Sequence, residues 1–178
     1  MIPDQAQAKQ LWDKYALPEG KRRHVELVAK VAKFLATKLN MNEKLLIAAA
    51  LLHDIDKNVE KLPGEKHPDA AVRILREEGM GEVAELVKTH PLHAILDPMI
   101  APKTWEEKLL FLADKMVKQD VIGVDARFRL WNDEHLPKEQ RTILDAAYPK
   151  VKELEKEVFD LIAAEPKRIL KELKGQSL

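Results

Sequence analysis

Leu45-Leu46-Ile47-Ala48-Ala49-Ala50-Leu51-Leu52-His53-Asp54 is the stretch on which the reading of the fold turns. It is apolar all round, as a helix at the centre of a bundle is, and it ends on two ionisable residues. Asn42 suits its N-cap, so the pattern predicts a helix from Glu43 to about Asp54. Its apolar part is far short of the roughly 20 residues that cross a bilayer.

Upstream, Pro3-Asp4 opens a first helix to about Tyr15. Pro18-Glu19-Gly20 breaks it, and a second runs to about Leu39. Val28, Val31 and Leu35 share one face of that second helix, with His24 one turn earlier on the same stripe. Downstream, a polar loop with Asn58, Pro63 and Gly64 leads to His67-Pro68, and Pro68 suits the first position of a fourth helix. Gly79 and Gly81 separate that helix from another near Glu82 to His90, followed by an irregular connection marked by Pro91, Pro98 and Pro102. Thr104-Trp105-Glu106-Glu107 has the capping-box pattern and predicts a helix from about Glu106 to Asp120. Asp114 sits inside it, between Phe111-Leu112-Ala113 and Met116-Val117.

From Pro137 onward the chain reads as one long charged amphipathic helix, with a shorter piece after Pro166. Its apolar stripe packs on the same domain or on a second subunit, which leaves a homodimer open. Period-two alternation is scarce, so strands have little support. The expectation is an all-α bundle in a single domain over residues 1–178, with a core at about 20–122 and a C-terminal helical extension at about 137–174.

The 178 residues carry 30 lysines and arginines against 30 aspartates and glutamates, and no cysteine. Zero cysteine removes disulfides, thiolate nucleophiles and zinc–thiolate sites together, so any metal site is built from histidine and carboxylate. The balanced charge argues against a nucleic-acid coat, which needs a basic footprint. With neither a membrane span nor a visible secretory signal, the expectation is a soluble, cytoplasmic protein with no membrane partner. Trp12, Trp105 and Trp131 read as packing residues, and His135 as solvated surface.

Carboxylates and imidazoles on apolar stripes are costly unless they are paired or bind a metal. Three helices that each point such a group inward are how a bundle builds a metal site. The ordered set His24, then His53-Asp54 in Leu51-Leu52-His53-Asp54-Ile55-Asp56-Lys57, then Asp114 resembles the HD superfamily of metal-dependent phosphohydrolases. The likeness covers roughly Arg22 to Val121 and implies an HD-domain helical bundle. His67 and His90 stand where binuclear members place further histidines. The region is similar to the branch that contains symmetrical dinucleoside tetraphosphatases.

By that resemblance His24, His53, Asp54 and Asp114 hold one metal. Asp54, His67 and His90 hold a second, with Asp54 bridging. The implied cofactors are two divalent ions, iron foremost, with manganese, zinc, nickel, cobalt and magnesium as alternatives. The implied reaction is hydrolysis of a phosphate ester or anhydride of a small phosphorylated substrate, a nucleotide, by metal-activated water. Asp54 and Lys57 are the catalytic candidates. Lys57, Arg23 and His93 are candidates for substrate contact, as is Arg22, although Lys57 also has Asp56 and Glu60 as salt-bridge partners. Many relatives have glycine where this chain has Asp56, and aspartate tolerates the left-handed turn that glycine suits. Two alternatives stand beside this reading: a mononuclear 5′-nucleotidase or phosphodiesterase, and a nucleotide-sensing helical module with little turnover.

Overall fold

The computed structural model describes residues 1–175. Within them lie α1 (Gln5–Lys14), α2 (Glu19–Leu39), α3 (Glu43–Leu52), α4 (Asp69–Glu77), α5 (Gly81–Lys88), a 3₁₀ segment (Leu92–Leu96), α6 (Trp105–Lys115), α7 (Val124–Asp133), α8 (Lys138–Ile162) and α9 (Pro166–Gly175). Among the described residues there is no strand, only an isolated bridge between Val117 and Val121. The all-α expectation holds.

Local chemistry sets the helix ends. Asp4 accepts from Gln7 N while the Gln7 side chain returns to Asp4 N, and Thr104 and Glu107 close the same reciprocal box on α6. Asn42 accepts from Leu45 N at 3.1 Å, as its N-cap position predicts. Helix α3 lies at the centre, packed by α2, α5, α1 and α6. Leu46, Ala49, Ala50 and Leu52 have no exposed surface, and only the side carrying Lys44 and Ile47 reaches solvent, so most of the helix faces protein. Trp12 donates its indole N–H to Leu51 O at 2.8 Å, satisfying a carbonyl of the last turn of α3 that has no helical partner. Its role is therefore packing, as expected.

Several boundaries differ from the sequence expectation. Helix α3 ends at Leu52, and His53 to Asp56 form the turn beyond it. Helix α6 stops at Lys115 as the bonds tighten to the i−3 spacing, Met116 N to Ala113 O and Val117 N to Asp114 O, and Met116 O accepts instead from Ile122 N and Gly123 N. Gly123 has φ +84, a left-handed conformation that favours glycine; a Cβ there would lie 2.9 Å from Leu170 Cδ1 of α9, a side-chain end that can shift. Helix α7 was not anticipated. It buries only Val124 and Phe128, too few apolar residues to make a periodic signal.

Helix α8 carries Pro149 in its interior, on a solvent-exposed face where the carbonyl left without an N–H partner can be hydrated. Leu144, Ala147, Val151, Leu154, Val158 and Phe159 are buried against this same chain, which answers the question of what the stripe covers. An ion pair of Lys108 with Glu157 at 3.0 Å links α6 to α8. No described helix is long and apolar enough to cross a membrane.

Leu46→Ala is expected to lower the unfolding free energy by about 2–5 kcal/mol, because a fully enclosed site has little room to collapse. Urea denaturation with unchanged m-value would register this as a lower midpoint.

Candidate metal centre

The residues at the end of α3 face the N-terminal part of α2, the last turn of α6 and the chain segments before α4 and after α5. Four imidazoles meet there, each anchored through Nδ1. His24 Nδ1 lies 3.2 Å from Lys118 O, His53 Nδ1 2.8 Å from Ala50 O, and His90 Nδ1 2.5 Å from Val87 O. His67 Nδ1 lies 2.9 and 3.1 Å from the two carboxylate oxygens of Asp56. Carbonyl oxygens only accept, so in each neutral ring the proton sits on Nδ1 and the lone pair is on Nε2.

These Nε2 atoms converge on Asp54 and Asp114. His24 Nε2 and His53 Nε2 lie 3.0 and 3.5 Å from Asp114 Oδ1, and His53 Nε2 and His67 Nε2 lie 3.9 and 3.7 Å from Asp54 Oδ1. His67 Nε2 and His90 Nε2 are 3.0 Å apart. Two lone pairs held face to face at that distance repel unless a cation lies between them. Cis ligands of an octahedral ion with bonds near 2.1 Å are themselves about 3 Å apart. His53 Nε2 is sealed from solvent with no hydrogen-bond partner. Ligand atoms of His24, His53 and Asp114 all lie within 4.8 Å of one another, as do those of His53, Asp54 and His90. The donor set of imidazole nitrogen and carboxylate oxygen suits a divalent transition metal.

The surrounding charges fit that arrangement. Burial alone would push the Asp54 carboxyl up, yet His53, Lys57 and Lys21 together hold it well below the usual carboxylate range. Lys21 Nζ is 3.0 Å from Asp54 Oδ2, and Lys57 Nζ is 3.2 Å from Oδ1. Burial likewise opposes ionisation of Asp114, but the Lys115 ammonium and the His24 and His53 rings keep it far below its ordinary value. Burial lowers the basicity of His53, and the carboxylates of Asp54 and Asp114 outweigh it, so the net shift is upward. His90 goes well below the ordinary histidine value, first through burial and then through its neighbours His53 and His67.

The structure thus brings together His24, His53, Asp54, His67, His90 and Asp114. Lys57 joins them through Asp54 rather than through Asp56 or Glu60. Arg22 is committed to Asp13, Leu17 O and Trp12 O, and Arg23 donates to Gln119 O at 3.3 Å. His93 lies exposed on the 3₁₀ segment, outside this cluster, and His135 is exposed.

Three further residues carry roles that the sequence reading missed. Lys21 pairs with Asp54. Lys115 is 2% exposed, and its ammonium donates to His90 O at 2.8 Å and Asp114 Oδ2 at 2.6 Å, which ties two ligand-bearing segments together. Asp56 does not take the left-handed conformation expected of it. Its carboxylate turns inward instead, 1% exposed, to hold the His67 ring. The one available signal was the exchange of a turn glycine for an acid beside a histidine cluster.

The HD domain family model matches residues 22–118, more than half of the chain, and the chain belongs to that family. HD domains bind divalent metal ions. The chain is 27% identical to the tRNA (cytidine(56)-2′-O)-methyltransferase of Picrophilus torridus over 183 aligned positions, covering 97% of this chain and 51% of that protein. It is 31% identical to the enzyme of the same name from Thermoplasma volcanium over 131 positions, covering 67% of this chain and 38% of the relative. The chain thus spans about half the length, or less, of these curated relatives. No solved structure gives a significant match.

Groups that orient a metal-ligating histidine typically contribute about 10–100-fold in metal affinity. Asp56→Ala is expected to weaken divalent-ion binding at the His67–His90 end by that order. Asp56→Asn, which keeps an acceptor for Nδ1–H, should lose less. Calorimetric titration of the metal-free protein measures both.

Proposed function

We propose that this chain is a phosphohydrolase that uses two divalent metal ions to hydrolyse a phosphate ester or anhydride of a nucleotide. The observation that carries the reading is the meeting of four fixed imidazole lone pairs around Asp54 and Asp114. His24, His53, Asp54 and Asp114 are assigned to one ion. Asp54, His67 and His90 are assigned to the other, with Asp54 shared. The opposed nitrogens of His67 and His90 favour this binuclear reading over the mononuclear one. The likeness to the dinucleoside tetraphosphatase branch favours iron and a nucleotide polyphosphate.

Bound there, divalent ions supply Lewis-acid stabilisation of a phosphoryl group and lower the pKa of water towards neutrality. The chain's own residues do the rest. Nδ1 anchoring keeps each ring from turning away as substrate arrives. Lys115 holds Asp114 in place from beneath. Lys57 is the catalytic cation: its side chain is 28% exposed, so its ammonium can leave Asp54 to meet a phosphoryl or leaving-group oxygen as a point charge.

The relatives named as tRNA methyltransferases raise RNA as a rival substrate class. The balance of 30 basic against 30 acidic residues favours a small substrate instead, because RNA affinity draws on a basic surface.

The test is elemental analysis of anaerobically purified protein beside a His67→Ala, His90→Ala double variant, with turnover on nucleotide polyphosphates, phosphodiesters and tRNA. Close to two ions per chain, falling to one in the variant, is the expected result. One ion in both proteins would replace the binuclear reading with the mononuclear one. Asp54→Ala should lose the shared ligand, most of the metal and all turnover; wild-type turnover in that variant would overturn the assignment.

A further inference from the structure

Helices α1 and α2 both pack on α3, and a cleft of about 370 Å³ remains between them. Its floor is α3 itself. Ile47 and Leu51, one helical turn apart, line it together with Ala29 of α2. Leu51 and Ala29 are buried, whereas Ile47 keeps part of its side chain open. Clefts that take small ligands run from about 300 to 1,000 Å³, so the space suits a small molecule.

The rim is basic. Lys9 of α1 and Lys30, Lys33 and Lys38 of α2 stand around the cleft, and Glu26 is the one carboxylate among its lining residues. Glu26 is taken by Lys9 at 2.8 Å and Lys38 pairs with Glu172 at 3.4 Å, which leaves Lys30 and Lys33 without an ion pair among the described residues. These two are neighbours at i, i+3 on α2, where like charges repel, and Lys30 is half-buried. An anion between them relieves that repulsion, and the apolar floor takes a hydrocarbon group attached to it. The apolar atoms lie at the bottom of a concave space, out of reach of a flat bilayer. One turn of a partner helix, ~5.4 Å long and ~10 Å across, already occupies roughly 400 Å³ and would fill the cleft by itself.

We propose that this cleft is a binding site for a small organic anion with an apolar chain, such as a medium-chain carboxylate. Its head group lies between the ammoniums of Lys30 and Lys33, and its chain lies over Ile47 and Leu51. Neither half of the match is enough alone. Exposed ion pairs contribute little, and a single exposed isoleucine is ordinary. Together, in one concave space, they select an amphiphile. The inference is independent of the phosphohydrolase reading, since none of the lining residues is a proposed metal ligand.

The experiment is calorimetric titration of the full chain, loaded with metal, with straight-chain carboxylates from acetate to decanoate. One octanoate per chain is expected, with affinity rising by up to about fourfold per added methylene until the cleft is full. Octanol, which lacks the charge, and acetate, which lacks the chain, should each bind at least about tenfold more weakly. Acetate also reports any carboxylate taken by the metal ions. Lys30→Gln and Lys33→Gln together should cost octanoate about tenfold in affinity and leave metal content and melting temperature at wild-type values, because both side chains reach solvent. Ile47→Asp, at a partly exposed position, should abolish binding by placing a like charge on the floor. No saturable octanoate binding would overturn the proposal, as would wild-type affinity in either variant, which would place the ligand elsewhere. Octanol binding as tightly as octanoate would reduce the cleft to an apolar patch and overturn the anion site. Binding confined to vesicles of anionic phospholipid would assign the lysines to a membrane surface instead.

Discussion

A buried imidazole has two nitrogens to satisfy, and at this site the fold satisfies only one of them. Nδ1 of His24, His53 and His90 meets a main-chain carbonyl, and Nδ1 of His67 meets the Asp56 carboxylate. The remaining nitrogens are left facing carboxylate oxygens and one another in a space that most of the protein has sealed. That leftover valence is the constraint around which the rest of the structure is organised. Two of the three carbonyls belong to the residue three positions earlier in the chain, at the ends of α3 and α5. These helices therefore orient their own terminal histidines with carbonyls of their last turns.

The same site forces an unusual distribution of charge. Asp54, Asp56 and Asp114 are carboxylates in or beside an apolar bundle, and burial penalises every one of them. Lys115 offsets the penalty from below and Lys21 and Lys57 from the solvent side, while Asp56 is held by the ring it orients. Removing one member of such a network leaves its partner as an uncompensated buried charge, so the cluster is retained or lost as a unit. The apolar packing around it answers a mechanical need. Helix α3 is enclosed by four other helices, α6 has no exposed surface from Leu109 to Ala113, and Trp12 pins the end of α3 directly before His53.

Membership of the HD domain family and likeness to longer tRNA methyltransferases bear on different parts of the problem. The family match spans α2 to the loop after α6, where all of the proposed ligands reside. The alignment to the Picrophilus torridus protein takes in almost the whole chain, including the C-terminal helices that the family match leaves out. Those helices are an integral part of this fold, since α8 lies on α6 and the 3₁₀ segment while α9 reaches α2. Helix α7 packs on α8 and α6, so the region beyond the family match completes the core.

Much of this was legible in the residues alone. The apolar run of α3, the capping box at Thr104 and the position of His24 on a core stripe are local patterns, and local patterns fix helices. The order of His24, His53-Asp54 and Asp114 was equally readable, because each interrupts an apolar face where a charge is costly. The end of α6 and the existence of α7 were not readable: the first depends on main-chain bonds made by Met116, and the second buries too few apolar residues to leave a periodic pattern. Nor were the roles of Lys21, Asp56 and Lys115. A lysine or arginine on a charged helix reads as solvated surface until packing buries it, and an aspartate in a turn reads as turn chemistry until a ring meets it. Which groups bear the cost of burial can be read from the residues; packing alone settles pairs such as Lys21 with Asp54 and His24 with Asp114, because the two members of each lie tens of residues apart along the chain.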